Sequence, residues 1–404
     1  MKILYIAHRL PYPPNKGDKI RSCNTIKHLA RRHRVWCACF VDNEDDFRHV
    51  ECLRRYCQEV VALPLKGGAA RLRALFELGA GGSGSEGFYR QRGMAEALVR
   101  LSARVRFDAA LVFSSGMGQY ADCVAAPRKV LDMCDLDSRK WAECASRAIA
   151  PMSWLYAAEA RRLGELEKKL CRRFEATVLI GAHEAHGWRG ADEGELHFVG
   201  NGVELPSLGA ASHDSGVVGF VGDMSYYPNE DAMCWFARRV WPQVRGAVPA
   251  ARLEIVGRRP SRALRRLERL EGVRVVGQVE DVVEHLLRFQ VVIAPLRIAR
   301  GLQNKVLEAM AAGRAVVASS AAACGIDAID GRHLVVADEA QDFAQHVRHL
   351  LDNPDVCRDL GESARRQMAI RYDWSEQLSP LEDLLQGVQH TAFVSTAQPI
   401  PATI

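Results

Sequence analysis

No run of apolar residues in this sequence approaches the ~18 that a membrane-spanning helix needs, and Met1 to His8 lack the basic region and cleavage site of a secretory signal. A cytoplasmic protein is the expectation. The chain also lacks a strong charge of either sign, since 54 Lys and Arg against 49 Asp and Glu leave only +5. That is too little for a nucleic-acid footprint, and no aromatic-basic RNA signature is present, so nucleic acid is excluded as a partner. Any recognition of an anion must be local. The twelve cysteines are spread over 404 residues, and the close pairs Cys37/Cys39 and Cys52/Cys57 have no His or Cys cluster at metal spacing. They read as reduced, mostly buried thiols, with no metal and no cofactor expected. No sequence repeat relates the two halves.

What is present is an ordinary globular composition, 48% hydrophobic and 25% charged, over a length that predicts two domains or at most three. Strand-like runs alternate with helical stretches at Lys2–His8, Val35–Val41, Val60–Leu65, Ala109–Ser115, Val130–Cys134 and Thr177–Gly181. A polar stretch, Ser207–Ser215, interrupts the alternation. It restarts at Val217–Gly222, Leu253–Gly257, Val273–Gly277, Val291–Pro295 and Ala315–Ser319. The runs are continuously apolar, as parallel strands buried on both faces require. The expected organisation is an α/β domain over 1–205 and a second over 206–373. A helix over 374–389 packs back on the first domain, with Leu378, Leu381, Leu384 and Leu385 on one face, and a frayed tail covers 390–404. Helical periodicity also marks Leu155–Phe174 and Phe343–Leu351. The Gly/Ser-rich segment Gly79–Gly87 reads as a flexible surface loop or lid.

Ligands of open parallel sheets bind beyond the C-terminal strand ends, so the chemistry is sought there. The segment from Ala294 to Gly313 reads as strand end, loop, helix and glycine stop before the strand Ala315–Ser319. Gly301 permits close backbone approach, and the amides of Leu302, Gln303 and Asn304 at the helix start form an anion site aided by the helix dipole. A diphosphate fits there. Helical spacing sets Asn304, Lys305 and Glu308 along one face, so Lys305 can neutralise phosphate while Glu308 accepts hydrogen bonds from ribose hydroxyls.

This segment resembles the donor signature of the retaining, two-domain glycosyltransferases of family 4, in which two Glu flank seven residues. Glu308 matches the second, ribose-binding acid, and Arg300 stands at the first. The run from Gly301 to Ala311 is similar to a subgroup tied to exosortase/PEP-CTERM-associated exopolysaccharide clusters. The resemblance implies a GT-B fold, two Rossmann-like domains with parallel sheets facing across a cleft. Val199-Gly200-Asn201-Gly202-Val203 with Glu204 is similar to the family's junction turn. That makes Asn201 and Gly202 the hinge, the alternative being a plain Asn-Gly turn. Val218 to Asp231 resembles the first strand and Gly loop of the nucleotide domain, with Gly222 at the diphosphate. The family's Arg/Lys pair is replaced there, so the cationic role falls to Lys305 first, then Arg258, Arg297 or Arg300. The alternative for Arg258, Arg259 and Arg297 is a solvated loop charge. Val275 to Asp281 is similar to the segment that meets the base, with Gln278 on the donor side and Asp281 as a helix N-cap.

In the first domain, His8 to Lys19 forms a Pro-braced loop that brings His8, Gly17 and Asp18 to the sheet's C-terminal edge. Asp132 to Trp141 resembles the subgroup's D-x-x-D-x-D-S-x-K-W pattern, and assigns Asp135, Asp137 and Lys140 to acceptor binding or charge tuning. Lys305, Arg300, Asp18 and Asp135 are the catalytic candidates. Arg300 either reads a carboxylated donor sugar or pairs with a nearby acid. The implied activity is retaining transfer of a hexosyl-type sugar from a nucleoside-diphosphate sugar to a glycan or lipid-linked acceptor in exopolysaccharide biosynthesis. A nucleotide-sugar 2-epimerase of the same fold and a non-catalytic nucleotide-sugar-binding protein are the alternatives. The basic pairs Arg161-Arg162, Lys168-Lys169 and Arg172-Arg173 suggest peripheral contact with the inner membrane. The interspersed Glu159, Glu165, Glu167 and Glu175 favour an ordinary solvated helix instead.

Overall fold

A computed structural model describes residues 1–14, 16–185, 187–188, 194–208, 214–299 and 302–388. The chain forms two compact units, dividing at Asn201/Gly202 and again at Asp373/Trp374. The expected tail over 390–404 lies outside the described residues. Among the described residues no helix is long and apolar enough to cross a membrane.

The first unit is built on seven parallel strands: β1 Lys2–Ala7, β2 Arg34–Val41, β3 Cys57–Pro64, β4 Ala109–Phe113, β5 Arg128–Cys134, β6 Ala176–Leu179 and β7 Leu196–Phe198. Their order is β3-β2-β1-β4-β5-β6-β7, with Ile3 level with Val35 on one side and Ala109 on the other. The continuous apolar pattern has a direct cause in β1. Ile3, Tyr5 and Ala7 pack with Ile26, Leu29 and Leu378 on one face, while Leu4 and Ile6 pack with Met94, Leu98 and Met117 on the other.

The second unit holds β8 Val217–Val221, β9 Arg252–Val256, β10 Val273–Gly277, β11 Val291–Ala294, β12 Ala315–Ala318 and β13 Val335–Val336, in the order β10-β9-β8-β11-β12-β13. The edge strands β7 and β13 escape sequence reading because three and two residues are too few to show a period.

The C-terminal helix, Trp374–Gln386, belongs to the first unit, where Leu378, Leu381, Leu384 and Leu385 are all buried. Buried Glu382 anchors it, lying 2.8 Å from His28 Nε2 and 3.0 Å from His33 Nε2. The lid expected at Gly79–Gly87 is not a loop. A helix, Gly67–Gly79, ends there, and a second, Gly84–Tyr89, begins after Ser83. Buried Glu159 explains why, since its carboxylate accepts from Ser83 Oγ at 2.9 Å and from the amides of Gly84 and Ser85 at 2.6 and 2.8 Å. Ser83 itself caps the helix by accepting from the Glu86 amide, and the Glu159 carboxylate supplies the acceptor for the amides of Gly84 and Ser85.

Candidate functional site

In the second unit the strand order reverses between β8 and β11, the place where open α/β sheets bind ligands. Two loops approach closely at the neighbouring strand ends. Gly257, at φ 156°, follows β9, and a Cβ there would lie 1.7 Å from the Gly222 carbonyl oxygen, so no other residue fits without moving the Gly222 loop. Asp223 follows Gly222 and holds Arg258 through Nε at 2.7 Å and Nη2 at 2.6 Å. Arg258 is thus an ion-paired residue rather than a loose loop charge. Arg297 is tied in the same way to Asp231, at 2.5 Å. Gln278, at the end of β10, is exposed, and Asp281 caps the next helix by accepting from the Val283 amide at 2.8 Å.

After β11 the helix spans Asn304–Ala311, with Gln303 at its N-cap. Arg300 and Gly301 lie outside the described residues. Leu302 and Gln303 are half-buried in the N-terminal approach, and the Gln303 carbonyl accepts from Val306 and Leu307. The amides ahead of them meet no intrahelical acceptor by helix geometry. Lys305 points its ammonium to the Asn229 side-chain oxygen and lies 5.0 Å from the centre of the Phe220 ring. Asn229 in turn donates to the Asp223 carbonyl at 2.9 Å, so the Gly222 loop and the Lys305 helix are cross-linked. Burial pulls the Lys305 ammonium down to about 8, against the opposing charge of Glu308. Burial pushes the Glu308 carboxyl up to about 7, with Lys305 acting the other way. A cation and an acid, each short of solvation and each only half-buried, form a place that a phosphate and a hydroxyl-rich partner can complete.

In the first unit the order reverses between β1 and β4, and His8 stands at the end of β1. Its ring stacks on Phe113 at 5.5 Å and meets Tyr89 edge-on at 5.7 Å. His8 Nε2 lies 3.1 Å from Asp18 Oδ2, and Arg9 donates to the same oxygen at 2.8 Å. Burial opposes ionisation of Asp18, but the His8 hydrogen bond, the charges of His8 and Arg9 and the Lys19 amide overcome it and hold the carboxyl well below the usual range. Burial pushes Tyr89 up to about 12. Gly17 opens the helix Gly17–Ala30 that presents Asp18. At the end of β5, Lys140 bridges Asp135 at 2.9 Å and Asp137 at 3.1 Å, so the acids at this strand end are neutralised within their own loop.

The sequence reading missed Arg21. This guanidinium is fully buried in the helix Gly17–Ala30 and pairs with Asp132 at 2.7 Å. It also donates to the Val199 carbonyl at 2.9 Å, the Gly200 carbonyl at 3.2 Å and Asn201 Oδ1 at 3.0 Å. The last residues of the first unit before Gly202 are therefore pinned to the sheet end by one side chain. The only signal in the sequence was Asp132, an acid inside an apolar run that demands a buried partner. Among the described residues, no three His, Cys, Asp or Glu side chains are grouped to hold a metal ion.

Residues 215–353 match the family model described as Glycosyl transferases group 1. No curated protein matches the chain. Solved structures similar in fold include Anabaena HepE in complex with UDP, at 13% identity and TM-score 0.66 over 96% of this chain and 100% of that one. Sucrose-phosphate synthase from Thermosynechococcus elongatus gives 14% and 0.65 over 96% and 99%. A point mutant of S. aureus TarM in complex with fondaparinux, alpha-GlcNAc-glycerol and UDP gives 11% and 0.66 over 95% and 99%. The chain has the GT-B fold, two parallel-sheet Rossmann-like units, and the residues that match the group 1 glycosyl transferase model, 215–353, lie in the second.

Proposed function

We propose that the chain is a retaining glycosyltransferase of the family 4 type, moving a hexosyl-type sugar from a nucleoside-diphosphate sugar to a glycan or lipid-linked acceptor in exopolysaccharide assembly. The observation that carries this reading is the half-buried Lys305 and Glu308, one helical turn apart behind a helix N-terminus at the strand-order reversal of the unit that matches the group 1 glycosyl transferase model. Complexes of HepE and TarM with UDP support the donor class.

In this reading the amides of Leu302, Gln303 and Asn304 and the Lys305 ammonium receive the diphosphate, and Glu308 accepts from the ribose hydroxyls. Negative charge grows on the leaving diphosphate as the glycosidic bond breaks, so these donors gain more in the transition state than in the ground state. Phosphate also returns Lys305 to full protonation, because it supplies the countercharge that burial denies. Removing one such donor costs roughly 3 kcal/mol, about a hundredfold or more in rate. His8, Gly17, Asp137 and Lys140 serve the acceptor side, and Asp18 and Asp135 join Lys305 and Arg300 as the catalytic residues. The reaction needs no metal and no organic cofactor, and Asn201 and Gly202 act as the hinge.

The test is turnover of a panel of nucleoside-diphosphate sugars with extracted glycan and lipid-linked acceptors, with the anomeric configuration of the product read by NMR. Acceptor-dependent consumption with the donor's configuration kept is the expected result. Sugar consumption without any acceptor points to an epimerase, and binding without turnover to a non-catalytic protein; either overturns the proposal.

A further inference from the structure

The helix Gly67–Gly79 is built inside out. Arg73 and Glu77 turn toward the protein, where Arg73 donates to the Phe88 carbonyl at 3.2 Å and Glu77 pairs with Arg90 at 2.5 Å. Three of its four large apolar residues turn to water, with Leu72 70%, Leu75 55% and Phe76 78% exposed. Lys66 and Arg71 are exposed beside them. A water-facing helix normally shows the opposite arrangement, and clustered large apolar residues on one helix face mark an interaction surface.

The long helix Met152–Arg173 is joined to the end of this one, since Arg162 donates to the Leu78 carbonyl and Glu159 holds Ser83, Gly84 and Ser85. Of the four glutamates interspersed with its basic pairs, Glu165 and Glu175 are exposed and the other two turn inward. Glu159 is buried, and Glu167 is fully buried against the Ser138 amide at 3.1 Å and Oγ at 2.5 Å. Of the helix's glutamates only Glu165 is exposed, at a 2.8 Å bridge to Lys168. Trp154, 73% exposed, and Arg161, Lys169 and Arg172 share the outward stripe.

We propose that the first unit docks on an anionic lipid bilayer, inserting Leu72, Leu75 and Phe76 among the lipids while Lys66, Arg71, Arg161, Lys168 and Lys169 meet the headgroups. Charge complementarity selects this occupant. Beside the outward apolar residues Lys66 and Arg71 are exposed while Glu77 is turned to Arg90, and on the long helix Glu165 is the one exposed acid against exposed Arg161, Lys169 and Arg172. The inference is independent of the proposed activity.

Flotation of the full chain with phosphatidylcholine vesicles, with and without phosphatidylglycerol, tests it. Wild type floats with the phosphatidylglycerol vesicles and is released by added salt. Lys168→Ala/Lys169→Ala weakens partitioning roughly 25-fold, at about fivefold per lysine. Leu72→Asp/Phe76→Asp abolishes it, with far-UV circular dichroism confirming that both variants are folded. Equal flotation of wild type and both variants overturns the proposal, as does equal binding to neutral vesicles. A wild-type dimer that Leu72→Asp/Phe76→Asp converts to monomer in sedimentation overturns it too, because a second copy then covers the face.

Discussion

Replacing Arg21 by Met should destabilise the first unit more than any surface change. The guanidinium and the Asp132 carboxylate are 0% and 1% exposed, so neither can fall back on water. Met keeps much of the volume but leaves the buried Asp132 without its cationic partner, with the Cys134 amide, 3.0 Å away, as a remaining donor. It also strands the oxygens of Val199, Gly200 and Asn201. Breaking a buried pair by removing one partner costs about 3–5 kcal/mol, against a typical total stability of about 5–15 kcal/mol. Removing both charges should cost much less, because Arg21→Met/Asp132→Leu leaves no orphaned ion. Urea denaturation read by circular dichroism measures this, with the transitions of the two units fitted separately. Amide exchange at 199–201 should quicken in Arg21→Met in parallel. A loss under about 1 kcal/mol for the single variant, or a double variant that loses the sum of both singles, refutes the reasoning.

Glu308 carries a pH signature. Its carboxyl is pushed up to about 7, so the folded chain holds a proton that the unfolded chain gives up near its ordinary 4.5. The stability this contributes is complete below about 4.5 and is lost as pH rises through 7. Glu308→Gln should therefore gain stability over wild type at pH 8, by about 1–3 kcal/mol, with little gain at pH 4.5; an equal gain at both contradicts the assignment. Gly257→Ala should weaken nucleotide binding at least tenfold and lower the second unit's stability by more than about 3 kcal/mol, because its Cβ meets the Gly222 carbonyl at 1.7 Å. Unchanged calorimetric affinity is the contrary result. Glu382→Gln should loosen the helix Trp374–Gln386 by about 1–3 kcal/mol, read as faster amide exchange confined to that helix, since a buried carboxylate between His28 and His33 is lost.

Much of the architecture was legible because parallel strands buried on both faces cannot hide their apolar runs, and because Lys305 and Glu308 sit at a fixed helical spacing. What was not legible depended on partners distant in sequence. The N-cap Ser83 and the amides of Gly84 and Ser85 are held by Glu159, 76 residues from Ser83. Asp132 is tolerable only because Arg21, 111 residues away, reaches it. The glutamates of the long helix look like surface charge until burial shows Glu159 and Glu167 facing inward.

The central claim is that the helix opening at Asn304 binds a nucleoside diphosphate through its first amides and Lys305, with Glu308 on the ribose. Isothermal titration of a nucleoside-diphosphate panel into wild type, Lys305→Ala and Glu308→Ala tests it most directly. The account predicts that at least one nucleotide binds wild type and that each substitution weakens it by roughly tenfold or more, about 1.4 kcal/mol. Absence of heat with every nucleotide, or equal affinity in all three proteins, would contradict it.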